Sequence, residues 1–148
     1  MAKILVLNGP NLSLLGQRNP QMYGATTLSD IESALSKQLA EQGYEAVCIQ
    51  SNAEHILIDA LQEQRGTSVG AIVNPGALMI AGWSLRDALE DYPHPWVEIH
   101  ISNIFARESF RQQSILSPLA SGFITGLGVD GYSLAAQALL KIIKENIV

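Results

Sequence analysis

Lys3-Ile4-Leu5-Val6-Leu7-Asn8-Gly9-Pro10-Asn11 is the stretch on which the fold turns. A strand with one wet face alternates apolar and polar residues. Four apolar residues in a row mean a strand buried on both faces, as in a parallel sheet covered by helices. Asn8 ends the run, and Gly9-Pro10-Asn11 is turn chemistry. The same grammar recurs downstream. Glu45–Gln50 is a second strand, and Gly70–Asn74 a third, with Ala71, Ile72 and Val73 running into Asn74-Pro75-Gly76. Trp96–His100 is a fourth and Gly122–Gly126 a fifth.

Helical patterns lie between the strands. Thr27–Gln42 carries Leu28, Ile31, Leu35 and Leu39 at helical spacing. Thr27 and Asp30 are placed for a capping box, and Gly43 stops the helix. Glu54–Gln64, with Ile58 and Leu61 on one side, Ile80–Asp91 and Asp130–Lys144 complete the set. Five β–α units give an α/β fold: a flavodoxin-like, doubly wound, five-stranded parallel sheet with helices on both faces. A chain of 148 residues suits one domain, 1–148.

Composition narrows the partners. A net charge of −5 with no basic run argues against nucleic acid. No stretch reaches the ~20 apolar residues of a membrane span, and the apolar run after Lys3 is too short for a secretory leader. A cytoplasmic protein is expected. The lone Cys48 permits no internal disulfide and reads as a buried small hydrophobe. No His, Cys, Asp and Glu cluster has metal-ligand spacing. Gly126-Leu127-Gly128 with Gly131 does not make a dinucleotide loop, so no cofactor is expected.

Sheets of this kind place ligands beyond the carboxyl ends of their strands. There the chain puts Asn8 to Asn11, Asn74-Pro75-Gly76, and Glu98-Ile99-His100-Ile101-Ser102-Asn103. Residues i and i+2 of a strand share a face, so Glu98 and His100 are paired. A carboxylate orients an imidazole for proton transfer near neutral pH; a purely structural His–Glu pair is the other reading. His94, between two prolines, and His55, at the start of a helix, read as structural.

Gly9–Ala25 is a 17-residue connection without periodicity, the length of a functional lid. It holds Arg18 and Tyr23. A free tyrosine is ionised to about one part in a thousand at pH 7, and a guanidinium beside it favours the phenolate. An Arg–Tyr base and an inert loop contact both fit. Arg107 and Arg111, at helical spacing after the fourth strand, either face the crevice to bind carboxylate or hydroxyls, or lie on a solvated face.

Taken together, these segments resemble the type II 3-dehydroquinate dehydratases. The resemblance runs from Ile4 to Tyr132. Asn8-Gly9-Pro10-Asn11-Leu12, Leu14-Leu15-Gly16 and Tyr23-Gly24 are similar to the family's opening signature. Gln50-Ser51-Asn52, Asn74-Pro75-Gly76-Ala77, Leu85-Arg86-Asp87-Ala88, Val97 to Asn103 and Ala106 to Arg111 follow in order. The resemblance implies a metal-free anti elimination of water from 3-dehydroquinate to 3-dehydroshikimate, serving the shikimate pathway or quinate catabolism. It implies a homo-oligomer, a dodecamer built from trimers.

The resemblance also implies roles. Tyr23 removes the C2 proton to give an enolate, and Arg18 lowers the tyrosine's pKa. Asn11 holds a water at the enolate oxygen. His100, oriented by Glu98, protonates the leaving hydroxyl. Asn74 and the Ile101-Ser102 segment bind substrate, the latter through backbone N–H groups at the carboxylate, Arg111 holds ring hydroxyls, and Asp87 reaches in from a neighbouring subunit. The chain departs from the family at Ile80, where a substrate-contacting His is usual, at Gln112-Gln113, where His-His is frequent, and at Ser13, usually Asn. Weakened hydroxyl recognition, by ~1–3 kcal/mol, is the expectation. An enzyme of the same fold acting on a related cyclic hydroxy acid, and a non-catalytic small-acid-binding or assembly relative, are the alternatives.

Overall fold

The computed structural model describes residues 1–19, 21 and 24–146. Five parallel strands form one sheet in the order β2-β1-β3-β4-β5: β1 Ala2–Asn8, β2 Tyr44–Gln50, β3 Ser68–Asn74, β4 Trp96–His100 and β5 Gly122–Thr125. The helices are α1 Leu28–Glu41, α2 Glu54–Glu63, α3 Leu78–Ala81, α4 Trp83–Asp91 and α5 Asp130–Asn146. This is the expected doubly wound α/β arrangement.

The continuous apolar runs divide between two cores. Ile4, Val6, Ile72, Val97 and Ile99 face α1 and α5, meeting Ile31, Leu35, Leu39, Leu139 and Ile143. Leu5, Leu7, Ala71, Val73 and Trp96 face α2 and α4, meeting Leu57, Leu61, Leu85 and Leu89. Alternation along a strand thus survives, with both faces dry. The edge strand β2 is only half-buried, and Cys48 with it, so that residue is less enclosed than expected. Burial still raises its thiol to about 11. In α2, Leu57, Ala60 and Leu61 are the buried positions, whereas Ile58 packs only at the margin.

Local chemistry sets the ends. Thr27 Oγ1 accepts the Asp30 N–H, and an Asp30 carboxylate oxygen accepts the Thr27 N–H, completing the capping box. The single helix expected over Ile80–Asp91 is two. Leu78–Ala81 makes one turn and closes at Gly82, whose N–H reaches the Leu78 carbonyl at 2.8 Å. A new helix then begins at Trp83, where Glu54 Oε2 accepts the Leu85 N–H at 2.8 Å. A carboxylate at a helix N-terminus satisfies an orphan donor and favours that break. Among the described residues, no helix is long and apolar enough to cross a membrane.

Candidate active site

The chain runs from β1 outward to β2, then crosses to the other side of β1 to lay down β3. The carboxyl ends of β1 and β3 therefore border the switch-point crevice of the sheet. Their loops touch. A Cβ on Gly9 would stand 2.4 Å from the Pro75 carbonyl oxygen, so only glycine allows the approach. Asn11 adopts a left-handed conformation, φ 70°, which asparagine tolerates. Its N–H donates to Asn52 Oδ1 at 2.9 Å. Gln50 Nε2 donates to the Gly9 carbonyl at 3.2 Å. The Gln50-Ser51-Asn52 turn thus holds the β1 loop from the neighbouring strand, a function that its sequence alone did not disclose.

A cavity of about 120 Å³ opens over these ends. Asn11, Leu12 and Arg18 line it from the β1 loop, and Asn74, Ala77 and Met79 from the β3 side. His100, Ile101, Ser102, Arg107 and Arg111 close it from β4 onward. Eight of the expected site residues therefore border one space. Glu98 stands directly behind His100. Tyr23 lies outside the described residues. Asp87 is exposed on α4, away from this cavity. Ile80 and Gln113 do not line it either; Met79 supplies the apolar wall.

Glu98 and His100 are buried, at 0% and 5% exposure, and Glu98 Oε2 meets His100 Nε2 at 2.5 Å. The other carboxylate oxygen accepts from the Ser114 hydroxyl at 3.0 Å. Asn74 is equally enclosed. Its Oδ1 accepts the Gly76 N–H at 3.2 Å, and its Nδ2 donates to the Tyr132 hydroxyl at 2.8 Å. Tyr132 in turn donates to Asn8 Oδ1 at 2.6 Å. This chain fixes which end of the Asn74 amide is which. Burial pushes the Tyr132 phenol well above its ordinary range, so it serves as a neutral bridge.

The glycines after β5 have a definite task. Gly126 N–H donates to the His100 carbonyl at 3.2 Å, and Gly128 N–H to the Ile101 carbonyl at 3.1 Å. Thr125 Oγ1 donates to the Ser102 carbonyl at 3.0 Å. Three successive carbonyls are thereby tied to the β5 loop, which fixes the orientation of the Ile101-Ser102 peptides. Arg107 and Arg111 are not on one helix, as expected, but follow and end two separate 3-10 turns, Ile104–Ala106 and Ser109–Arg111. Both still reach the cavity. Arg111 Nε bonds Glu108 at 2.5 Å, which holds that exposed carboxyl below its usual range. Arg107 Nη1 lies 3.5 Å from Ser102 Oγ. His94 bonds the Arg65 carbonyl at 2.8 Å, the structural use expected of it.

Three arginines around a small crevice suit an anion, and a buried imidazole–carboxylate pair suits proton transfer. The fold and site define an α/β enzyme acting on a small acid. The family model described as Dehydroquinase class II matches residues 2–140. The chain is 53% identical over 143 residues to the 3-dehydroquinate dehydratase of Janthinobacterium sp. (strain Marseille), covering 95% of this chain and 99% of that one. It is 48% identical over 148 residues to catabolic 3-dehydroquinase 2 of Aspergillus flavus, covering 100% and 96%. The crystal structure of type II dehydroquinase from Propionibacterium acnes superposes with a TM-score of 0.90 at 38% identity, covering 95% and 97%. The chain belongs to the class II dehydroquinase family.

Proposed function

We propose that this protein is a 3-dehydroquinate dehydratase, a hydro-lyase that removes water from 3-dehydroquinate in the shikimate pathway or in quinate catabolism. The observation that carries the reading is the buried Glu98–His100 pair opening on an arginine-rimmed crevice, in a chain of this family.

In the proposed mechanism Tyr23 is the base, taking the C2 proton. The reading rests on its place in the Tyr23-Gly24 motif, in the same segment as Arg18, which lines the cavity. Arg18 stabilises the phenolate and the developing enolate, and Asn11 positions a water at the enolate oxygen. Glu98 occupies His100 Nε2, which leaves Nδ1 to protonate the departing hydroxyl. Asn74, Arg107 and Arg111 hold ring hydroxyls and carboxylate. The N–H groups of Ile101 and Ser102 bind the carboxylate from a peptide whose carbonyls are already engaged. Asp87 completes the site of an adjoining subunit.

Residues 1–148 act as one catalytic domain in the cytoplasm, and the assembly is a dodecamer built from trimers. Trp83, Phe105 and Phe110, each more than half exposed, support burial between copies. Purified protein with 3-dehydroquinate is expected to yield a conjugated enone absorbing in the ultraviolet. A folded protein that gives none overturns the reading. Tyr23→Phe is expected to abolish turnover without changing the fold, and light scattering tests the assembly.

A further inference from the structure

We infer that Ser114 is a positioning residue for the proton donor, acting on His100 through Glu98; this rests on the reading of His100 as the acid. Ser114 Oγ receives the N–H of Leu116 at 3.1 Å and that of Ser117 at 3.1 Å. A serine oxygen has two lone pairs and one proton. With both lone pairs engaged, the proton is directed to Glu98 Oε1, 3.0 Å away. The hydroxyl is therefore committed as a donor to the carboxylate.

The serine is itself held in place. Ile115 N–H donates to the Met79 carbonyl at 2.7 Å, Arg86 Nε donates to the Ile115 carbonyl at 3.0 Å, and Leu116 is fully buried. Glu98 is fully buried on β4, an interior strand of a packed sheet, where solvent cannot serve either oxygen. One oxygen takes His100 and the other takes Ser114. A carboxylate held at both oxygens cannot turn about its last bond, and the imidazole inherits that fixed direction.

The bond also sets a hydroxyl proton against the carboxylate oxygen that His100 does not use. The surroundings add no second carboxylate among the described residues that line the cavity. Val73 on β3 and Phe123 on β5 are the strand neighbours of Glu98, Thr125 is the neighbour of His100, and the charged groups facing the imidazole across the cavity are Arg18, Arg107 and Arg111. Without Ser114 the carboxylate loses the donor on Oε1 and is free to turn, and the imidazole loses its fixed direction with it.

The test is the pH–rate profile on 3-dehydroquinate for wild type, Ser114→Ala, Ser114→Thr, Glu98→Gln and the Glu98→Gln/Ser114→Ala double variant. Ser114→Ala is expected to lower kcat about tenfold with little change in KM, and to change the pH dependence of kcat. Ser114→Thr, which keeps the hydroxyl, is expected to restore the profile. In the Glu98→Gln background the alanine is expected to add little. An unmoved profile, or an equal loss in both backgrounds, overturns the inference and leaves Ser114 as a turn residue only. If Ser114→Ala does not fold, Ser114→Cys, a weaker donor, is expected to lower kcat by less and to change the profile; an unmoved profile overturns the inference. An inert wild type fails the functional reading instead. In that event the ¹⁵N signals of the His100 ring still decide: they are expected to differ between wild type and Ser114→Ala, and superimposable spectra overturn the inference.

Discussion

Glu98 and His100 form an enclosed pair, carboxylate oxygen to Nε2 at 2.5 Å, on one face of β4, between β3 and β5. Breaking such a pair from either side leaves the other group without its partner. His100→Ala abandons a carboxylate in a dry sheet, which typically costs ~3–5 kcal/mol. We expect a lower denaturation midpoint together with a loss of at least ~10²-fold in kcat, the usual scale of a lost general acid. Glu98→Gln keeps the shape and removes the charge, so its loss should fall mainly on kcat. Chemical denaturation and steady-state kinetics on the two variants check both halves; a fully stable His100→Ala protein would contradict the buried-pair account.

Gly9→Ala tests the crossing of the β1 and β3 loops. The added methyl would sit 2.4 Å from the Pro75 oxygen and 2.8 Å from its carbonyl carbon. Both are backbone atoms, so relief requires moving one of the two loops that carry Asn11 and Asn74. We expect a destabilisation of ~1–3 kcal/mol, the usual scale of overpacking, with loss of substrate affinity. Urea unfolding and KM measure it. A variant with wild-type KM would show that the crossing does not set the site.

Much of this was legible in the sequence because it is periodic. Four apolar residues in a row at Ile4–Leu7 identify a strand buried on both faces, and a period of two places Glu98 and His100 together. What was not legible depends on contacts distant in the chain. Ser114 looks like any loop serine until the 109–116 segment folds against β4. Tyr132 sits 58 residues from Asn74 and 124 from Asn8, so no local pattern links them. The break at Gly82 is favoured by Glu54 of α2, 31 residues before the Leu85 N–H that it accepts. The arginines expected on one helix lie on two tight turns, because spacing alone does not distinguish a helix from successive turns. Met79, adjacent to the substitution at Ile80, is the side chain that walls the cavity.

Tyr132→Phe isolates the amide relay. It removes the hydroxyl that accepts from Asn74 and donates to Asn8, while keeping the ring in the core. Asn8 Nδ2 already has no hydrogen-bond partner among the described residues, so this polar cluster has no spare bonds to redistribute. Leaving a buried donor and acceptor unmet costs ~1–3 kcal/mol. The Asn74 amide then loses its enforced orientation. We expect lower stability and a raised KM, with kcat changed less, because Asn74 is proposed to bind rather than to transfer protons. A kcat effect larger than the KM effect would place Asn74 in the chemistry itself.

Alkaline stability offers the last prediction. Burial raises the Tyr92 phenol from its ordinary 10 to about 12. Ser68 Oγ also lies 2.7 Å from the Gln64 carbonyl and gives its one proton there, so Tyr92 is the donor in the 2.8 Å Tyr92–Ser68 bond. Ionising Tyr92 therefore loses that donation. Between pH 10 and about 12 the unfolded chain releases the phenolic proton and the folded chain keeps it. Fewer protons on the unfolded state make stability fall as pH rises. The contribution is intact below 10 and is lost progressively toward 12, a span worth roughly 2–3 kcal/mol. Tyr132 and Cys48, also raised by burial, act with the same sign. Tyr92→Phe is expected to be slightly less stable at pH 8, by ~1 kcal/mol for the lost hydrogen bond. Above pH 10 its stability should decline less steeply than that of wild type. Guanidinium midpoints from pH 8 to 11.5 measure both, and parallel slopes for the two proteins would remove Tyr92 from the alkaline transition.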